Sequence, residues 1–451
     1  MPAFTQLSER DRAQMLAAIG APNIQALFAD VPEAVRFPSL DLPSAWTEME
    51  ASRELARIAG ENVSVRDWPC FIGAGAYNHY SPAAVAHLMG LPQFYTAYTP
   101  YQPEVSQGTL QAMFEFQSLT CELLGMDVAN GSVYDGASGT GEAVLMAQRI
   151  TGKDRVVFSG SVHPHWRAVA QTYVSGRGLE TVTSEVRQNG ESGLVESPAL
   201  DLVDNNTACL VVQQPDYFGR IQDFVDLADQ LHARGALLVV AIAEASSLGV
   251  LRPPGEYGAD VAVAEGQALG LPLQYGGPWA GLMACRQEHL RQLPGRIAGQ
   301  TSDASGRRGF VLTLQAREQH IRREKATSNI CTSQTLLAIG IAAYLSLLGP
   351  AGLAEVARQS HARAVYAAEA IARLDGFRLL TPEPFYNEFL VECPRPAEEV
   401  RSRLLDRRLL AGVSAGRDYP GFDRGLLLAF TEQNSKADID ELIAGLASVV
   451  S

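Results

Sequence analysis

Four apolar runs of strand length, separated by helix-length segments, constrain this chain more than any other feature. They read RVVFSG (155–160), TACLVVQQ (207–214), ALLVVAIA (236–243) and DVAVAEG (260–266). Apolar runs without polar alternation are buried on both faces, and connections long enough to hold a helix join parallel neighbours. Helices fit 139–151, 163–175, 221–234 and 312–325. The expected class is therefore α/β, with a large, mostly parallel sheet covered on both sides.

The pattern changes toward both ends. Residues 1–65 are helical and proline-punctuated and predict an arm, with a helix capped at Ser8. Residues 66–345 carry the large α/β domain. Beyond a buried helix (333–348) and a long one (351–373), the segments FRLLT, NEFLVEC and GLLLAFT predict strands, with helices at 395–409 and 436–449. That is a small α+β domain over 346–451.

Bulk properties narrow the function. The 451 residues carry a net charge of −14, with pI about 5.1. This balance argues against nucleic acid or an anionic membrane as the main partner. LLAIGIAAYLSLLG (336–349) is the most apolar stretch, and it is too short to span a bilayer. The N-terminus lacks the pattern of a signal peptide. Six cysteines (70, 121, 209, 285, 331, 393) include no CxxC. Buried thiols in a reducing cytoplasm, without a metal site, are expected. Only three lysines occur, Lys153, Lys325 and Lys436, so candidates for imine chemistry are few.

Four stretches carry candidate chemistry. VYDGASGTGEAVLMAQRITG (133–152) sets small residues at a helix start. Backbone N–H groups with the hydroxyls of Ser138 and Thr140 beside Gly139 can bind a phosphate. A plain N-cap by Ser138 or Thr140 explains the same residues equally well. FYTAYTPYQPEVSQG (94–108) places Tyr95, Tyr98 and Glu104 in a proline-stiffened loop. Its rings suit a planar ligand or a packed subunit contact. GAGAYNHYSP (73–82) raises the same two readings for Asn78 and His79. His163 follows a strand, on the side of a parallel sheet where ligands bind, and it equally suits a helix cap. The charged stretch 317–329, with Arg322, Arg323 and Lys325, suits a solvated face or an acidic partner.

Taken together, FIGAGAYNHY (71–80), YTPYQPEVSQGTLQAMFEFQ (98–117), YDGASGTGEA (134–143), PPGEYGAD (253–260), YGGPWAG (275–281) and REKATSNICT (323–332) resemble the glycine cleavage system P-protein family over nearly the whole chain. The resemblance implies a fold of the type I pyridoxal-phosphate enzymes. It is closest to the α subunit of split P-proteins, the counterpart of the N-terminal half of single-chain ones. It further implies an α2β2 assembly that decarboxylates glycine and passes the aminomethyl group to the lipoyl arm of H-protein. Counting back from Pro278 puts the family's catalytic lysine at Gln267, whose amide cannot form an imine. Glu244 stands near the place of an aspartate that pairs with the cofactor ring, and no such role is assigned to it.

The resemblance therefore implies that pyridoxal 5'-phosphate is held by the β subunit, with lipoamide as acceptor. Tyr95, Tyr98, Glu104, Asn78 and His79 would complete the pocket at the α/β interface, with His163 as a further pocket residue. Ser138, Gly139 and Thr140 would be a vestigial phosphate loop. The alternative is a purely structural or regulatory subunit with no direct role in the pocket. A third reading, an independent enzyme using Lys325, has the wrong strand context.

Overall fold

The computed structural model describes residues 7–96, 98–189, 193–382 and 384–450. The chain divides after Val63 into two compact units. In the first, the helices Glu9–Ala18 and Glu48–Ala59 each begin with a reciprocal capping box, Ser8 with Asp11 and Thr47 with Glu50. These caps satisfy the orphan amides of each first turn. None of the described residues of this unit is buried.

Among the described residues, the second unit holds fifteen strands. In chain order they are β1 Val128–Ala129, β2 Arg155–Phe158, β3 Glu180–Thr183, β4 Val186–Asn189, β5 Gly193–Glu196, β6 Thr207–Gln213, β7 Leu237–Ile242 and β8 Val261–Glu265. Then come β9 Gly281–Cys285, β10 Ile297–Ser302, β11 Arg308–Thr313, β12 Arg378–Leu379, β13 Glu388–Glu392, β14 Val413–Ser414 and β15 Gly425–Ala429. The main sheet runs β1-β9-β8-β7-β6-β2-β3. It is parallel from β8 to β3, while β9 pairs antiparallel with both β8 and β1. Every residue of β6, β7 and β8 is buried, as their unbroken apolar sequences require. The arrangement is α/β, with helices supplying the crossovers.

Two expected helices are replaced. Over 221–234 only Leu227–His232 is α-helical. The Asp223 side chain accepts the Val225 N–H at 3.0 Å, an Asx turn that competes with an earlier helix start. The segment 312–325 begins instead inside the β10–β11 hairpin. Leu314 then takes a left-handed φ of 53° and Arg323 one of 52°, confining the helix to Gln319–Arg322.

The helix Thr335–Ile371 is interrupted at Gly349 (φ 59°, ψ −177°), followed by Pro350. By length and composition it could cross a membrane. Here Ala338, Ile341, Tyr344 and Leu353 pack in the core beneath the main sheet. The C-terminal sheet, order β12-β13-β15-β14, is antiparallel throughout. Ala364, Val400 and Leu442, from three helices, pack against its Phe389 and Leu428.

Candidate cofactor-type site at the carboxyl ends of the strands

Glu265, at the carboxyl end of β8, and His163, in the loop after β2, line one cavity of about 390 Å³ together with Asp135, Trp166 and Trp279. In an open parallel sheet this is where ligands bind.

The helix Gly136–Thr151 opens onto this cavity. Its N-cap is Asp135, whose carboxylate accepts the Ser138 N–H at 2.7 Å. The Ser138 hydroxyl turns back to the Asp135 carbonyl, at 3.1 Å. Thr140 Oγ1 donates to the Gly136 carbonyl at 2.9 Å. Neither hydroxyl is therefore the cap. Ser138 sits three residues inside the helix, where it returns a bond to the Asp135 N–H. Gly139 lies against Val263 and Val133, so closely that a Cβ would stand 2.7 Å from the Val263 side chain.

The first amide of this helix, Gly136 N–H, donates to Glu265 Oε2 at 2.9 Å. Glu265 Oε1 also accepts the Gln267 N–H, at 3.2 Å. Burial pushes this carboxyl up to about 8, against the opposing pull of its backbone donors. Trp166 covers the same helix start. A Cβ on Gly136 would lie 2.2 Å from its indole. The phosphate of pyridoxal phosphate needs open amides and free hydroxyls here, and two carboxyl side chains already take the amides of Gly136 and Ser138. The residues of this chain do not fit that group.

Gln267 follows two residues later and is buried, 1% exposed. Its Oε1 accepts the Tyr77 N–H at 2.8 Å, and its Nε2 donates to the carbonyls of Tyr77 (2.9 Å) and Leu271 (3.0 Å). The amide is thus used on both sides as a clamp on the segment 73–80.

His163 is held on three sides. Its N–H donates to Gln213 Oε1 at 2.8 Å, Nε2 faces the Ala74 carbonyl at 2.8 Å, and Nδ1 accepts the His165 N–H at 3.1 Å. These partners fix the Nε2–H tautomer. Burial lowers its pKa to about 4, so the ring is neutral near pH 7. It caps the helix Pro164–Ser175 and also lines the cavity.

His79 lies between two carboxylates, Nδ1 2.6 Å from Glu432 and Nε2 3.2 Å from Glu244. Burial alone would lower its pKa. The two carboxylates outweigh that and hold it at about 10. Glu244 further accepts the Ser246 N–H at 2.9 Å, so this carboxylate serves the clamp on His79. The carbonyl of Asn78 accepts from Thr431 Oγ1 at 2.7 Å. Tyr77 Oη donates to Glu388 at 2.9 Å, whose carboxyl burial pushes up to about 8. The segment 73–80 therefore bridges the main sheet and the C-terminal sheet.

The tyrosine loop lies elsewhere. Tyr95 and Tyr98 are 72% and 69% exposed, and Glu104 is exposed on a single turn, Pro103–Val105. Between them Tyr101 packs edge-on to Tyr98 at 5.9 Å and to His320 at 5.8 Å. Arg296 stacks over its ring and pairs with Glu318. The loop and the stretch 318–331 thus share a surface around a cavity of about 610 Å³ that Arg296, His320, Arg323 and Cys331 help line.

Glu265, Glu432 and Arg296 were not singled out by sequence. A lone carboxyl ending an otherwise apolar strand, as in VAVAE, is the signal that marks Glu265. Nothing local marks the other two.

Three comparisons bear on these features. The glycine cleavage system P-protein profile matches residues 3–446. A relative from Rhodospirillum centenum, named probable glycine dehydrogenase (decarboxylating) subunit 1, is 49% identical over 99% of both chains. One of the same name from Bacillus thuringiensis is 44% identical, again over 99% of each. A crystal structure of glycine decarboxylase (P-protein) of the glycine cleavage system, in inhibitor-bound form, superposes with a TM-score of 0.91 at 41% identity, covering 99% of each chain. A Lactobacillus brevis glutamate decarboxylase, at 14% identity and TM-score 0.67 over 94% of this chain and 97% of that one, shares the fold alone. That fold is the type I fold of pyridoxal-phosphate enzymes. The chain belongs to the glycine cleavage system P-protein family, of the subunit 1 type.

Proposed function

We propose that this chain is the α subunit of a glycine decarboxylase, completing an active site whose cofactor the β subunit carries. The pair, as an α2β2 assembly, removes CO₂ from glycine and delivers the aminomethyl group to the lipoyl arm of H-protein. Pyridoxal 5'-phosphate sits on a lysine of the β subunit. The observation that carries this reading is Gln267. It stands where the resemblance puts the lysine, and its amide is consumed by three backbone bonds.

Three features support a role at the subunit boundary. Tyr95 and Tyr98 hold large apolar rings in water, which favours burial against a partner. Glu104 follows on the turn Pro103–Val105. Asn78 and His79 line a separate cavity of about 600 Å³ with Tyr80 and Gln267, and the clamp on His79 gives that wall a fixed position. Their part is to shape the pocket and keep water out of it. His163 contributes a neutral, immobile ring.

Borohydride reduction of the assembled pair, followed by peptide mapping, tests the assignment. The expected adduct is on a lysine of the partner alone. An adduct on Lys153, Lys325 or Lys436 of this chain would overturn it. A purely structural role is separated by changing Tyr95, Tyr98 and Glu104 together to alanine. Unchanged turnover in the pair would mean these groups do not complete the pocket.

A further inference from the structure

We propose that Glu265 is a tethered substitute for the phosphate acceptor of this fold, closing the helix start at Gly136 against phosphate esters. The inference deepens the reading above, in which this chain does not carry the cofactor. The absence of a lysine at 267 removes covalent attachment but leaves a phosphate site intact. Glu265 removes the phosphate site itself.

The geometry is that of an acceptor held in an amide nest. Glu265 collects the N–H of Gly136, from the helix start, and the N–H of Gln267, from its own strand end. Between Glu265 and Gln267, the Gly266 N–H turns away to the Ala280 carbonyl at 2.9 Å. Backbone amides converging from a turn and a helix terminus are the arrangement that binds phosphate elsewhere. Here the acceptor is supplied by the chain and is 3% exposed. Asp135 takes the Ser138 amide beside it.

Burial holds the Glu265 carboxyl near 8. At neutral pH it therefore accepts these bonds mostly as the uncharged acid. A phosphate monoester would bring a charge of about −1.5 to −2 to the same place, beside Asp135. Desolvating that charge costs far more than burying a neutral carboxyl. The rest of the cavity, with His163, Trp166 and Trp279, remains open, so the block acts on the phosphate end alone.

The test uses the purified full-length chain, with inorganic phosphate as the probe. Melting temperature is recorded with phosphate replacing chloride at constant ionic strength. Wild type is expected to show no specific response. Glu265→Ala should melt lower and regain about 2 °C or more by ~20 mM phosphate, as the freed amides bind the anion. Glu265→Gln keeps one side-chain acceptor and should fall between the two in both respects. If Glu265→Ala does not fold, the Gln variant carries the comparison, and it must still respond more than wild type.

Two results would overturn the inference: variants as insensitive to phosphate as wild type, or a wild-type response of equal size. Its failure is distinct from failure of the subunit assignment. A phosphate-insensitive variant leaves the lysine assignment standing. A lysine adduct on this chain in the borohydride experiment would defeat that assignment whatever Glu265 does.

Discussion

Replacing His79 by leucine removes the cation held between a buried carboxylate, Glu244, and a partly buried one, Glu432. The side chains of His79 and Glu244 are 1% and 3% exposed, and that of Glu432 is 17% exposed. In wild type the imidazolium pKa moves from 6.5 to about 10. At about 1.4 kcal/mol per pH unit, that corresponds to an upper bound on the order of 5 kcal/mol. Each carboxylate keeps one backbone donor, Ser246 for Glu244 and Tyr80 for Glu432. The expected loss is therefore about 3–5 kcal/mol, the usual range for orphaning a buried charge. For a folded unit of nearly 400 residues this is roughly 4–6 °C in melting temperature by scanning calorimetry.

The pH dependence has a definite sign. The folded pKa of His79 lies above its unfolded value, so its contribution is complete below about pH 6.5 and disappears as pH rises through about 10. Wild type and His79→Leu should differ most at about pH 6.5, still differ strongly at pH 7, and converge by about pH 10.5. Adding Glu432→Gln to the variant should restore part of the loss, because one of the two stranded charges is gone. A drop under ~1 °C, or a difference constant from pH 7 to 10.5, would refute the claim that the segment 73–80 is held by an ionic clamp.

Other perturbations follow from the same geometry. Gln267→Leu should destabilise the chain by about 2–5 kcal/mol, since it strands the Tyr77 N–H and two carbonyls, measured as a fall in the unfolding midpoint. Gln267→Lys should not make the lone chain bind pyridoxal phosphate, because the Gly136 amide remains taken by Glu265; a titration followed by absorbance checks it. Changing Tyr95, Tyr98 or both to alanine should leave the melting temperature of the lone chain within about 1 °C, as the rings are exposed. Turnover of the assembled pair should fall. Stability should also decline between about pH 5 and 8 in part through Glu388, whose raised folded pKa means it binds a proton that the unfolded chain has released. Glu388→Gln should flatten that decline.

The sheet was legible in the sequence because β6, β7 and β8 are apolar at every or nearly every position, a signature that needs no tertiary information. The helix expected at 312–325 failed because its apolar periodicity belongs to a hairpin strand. The left-handed Leu314 that separates strand from turn has no local mark. The place of Gln267 ahead of the glycine-rich bend could be read by counting residues. What the glutamine does could not, because Tyr77 lies 190 residues away. The same holds for Glu265, whose helix-start partner is 129 residues distant. The loop of Ser138 and Thr140 looked open because small hydroxyls suit both a phosphate and a cap. Asp135, one residue before the glycine, decides for the cap.

Glycine–CO₂ exchange tests the central claim most directly, measured with H-protein on this chain alone, on its β partner alone, and on both together. The account predicts no exchange from this chain, whatever pyridoxal phosphate is added, and full exchange only from the pair. Sustained exchange by this chain without its partner would contradict it.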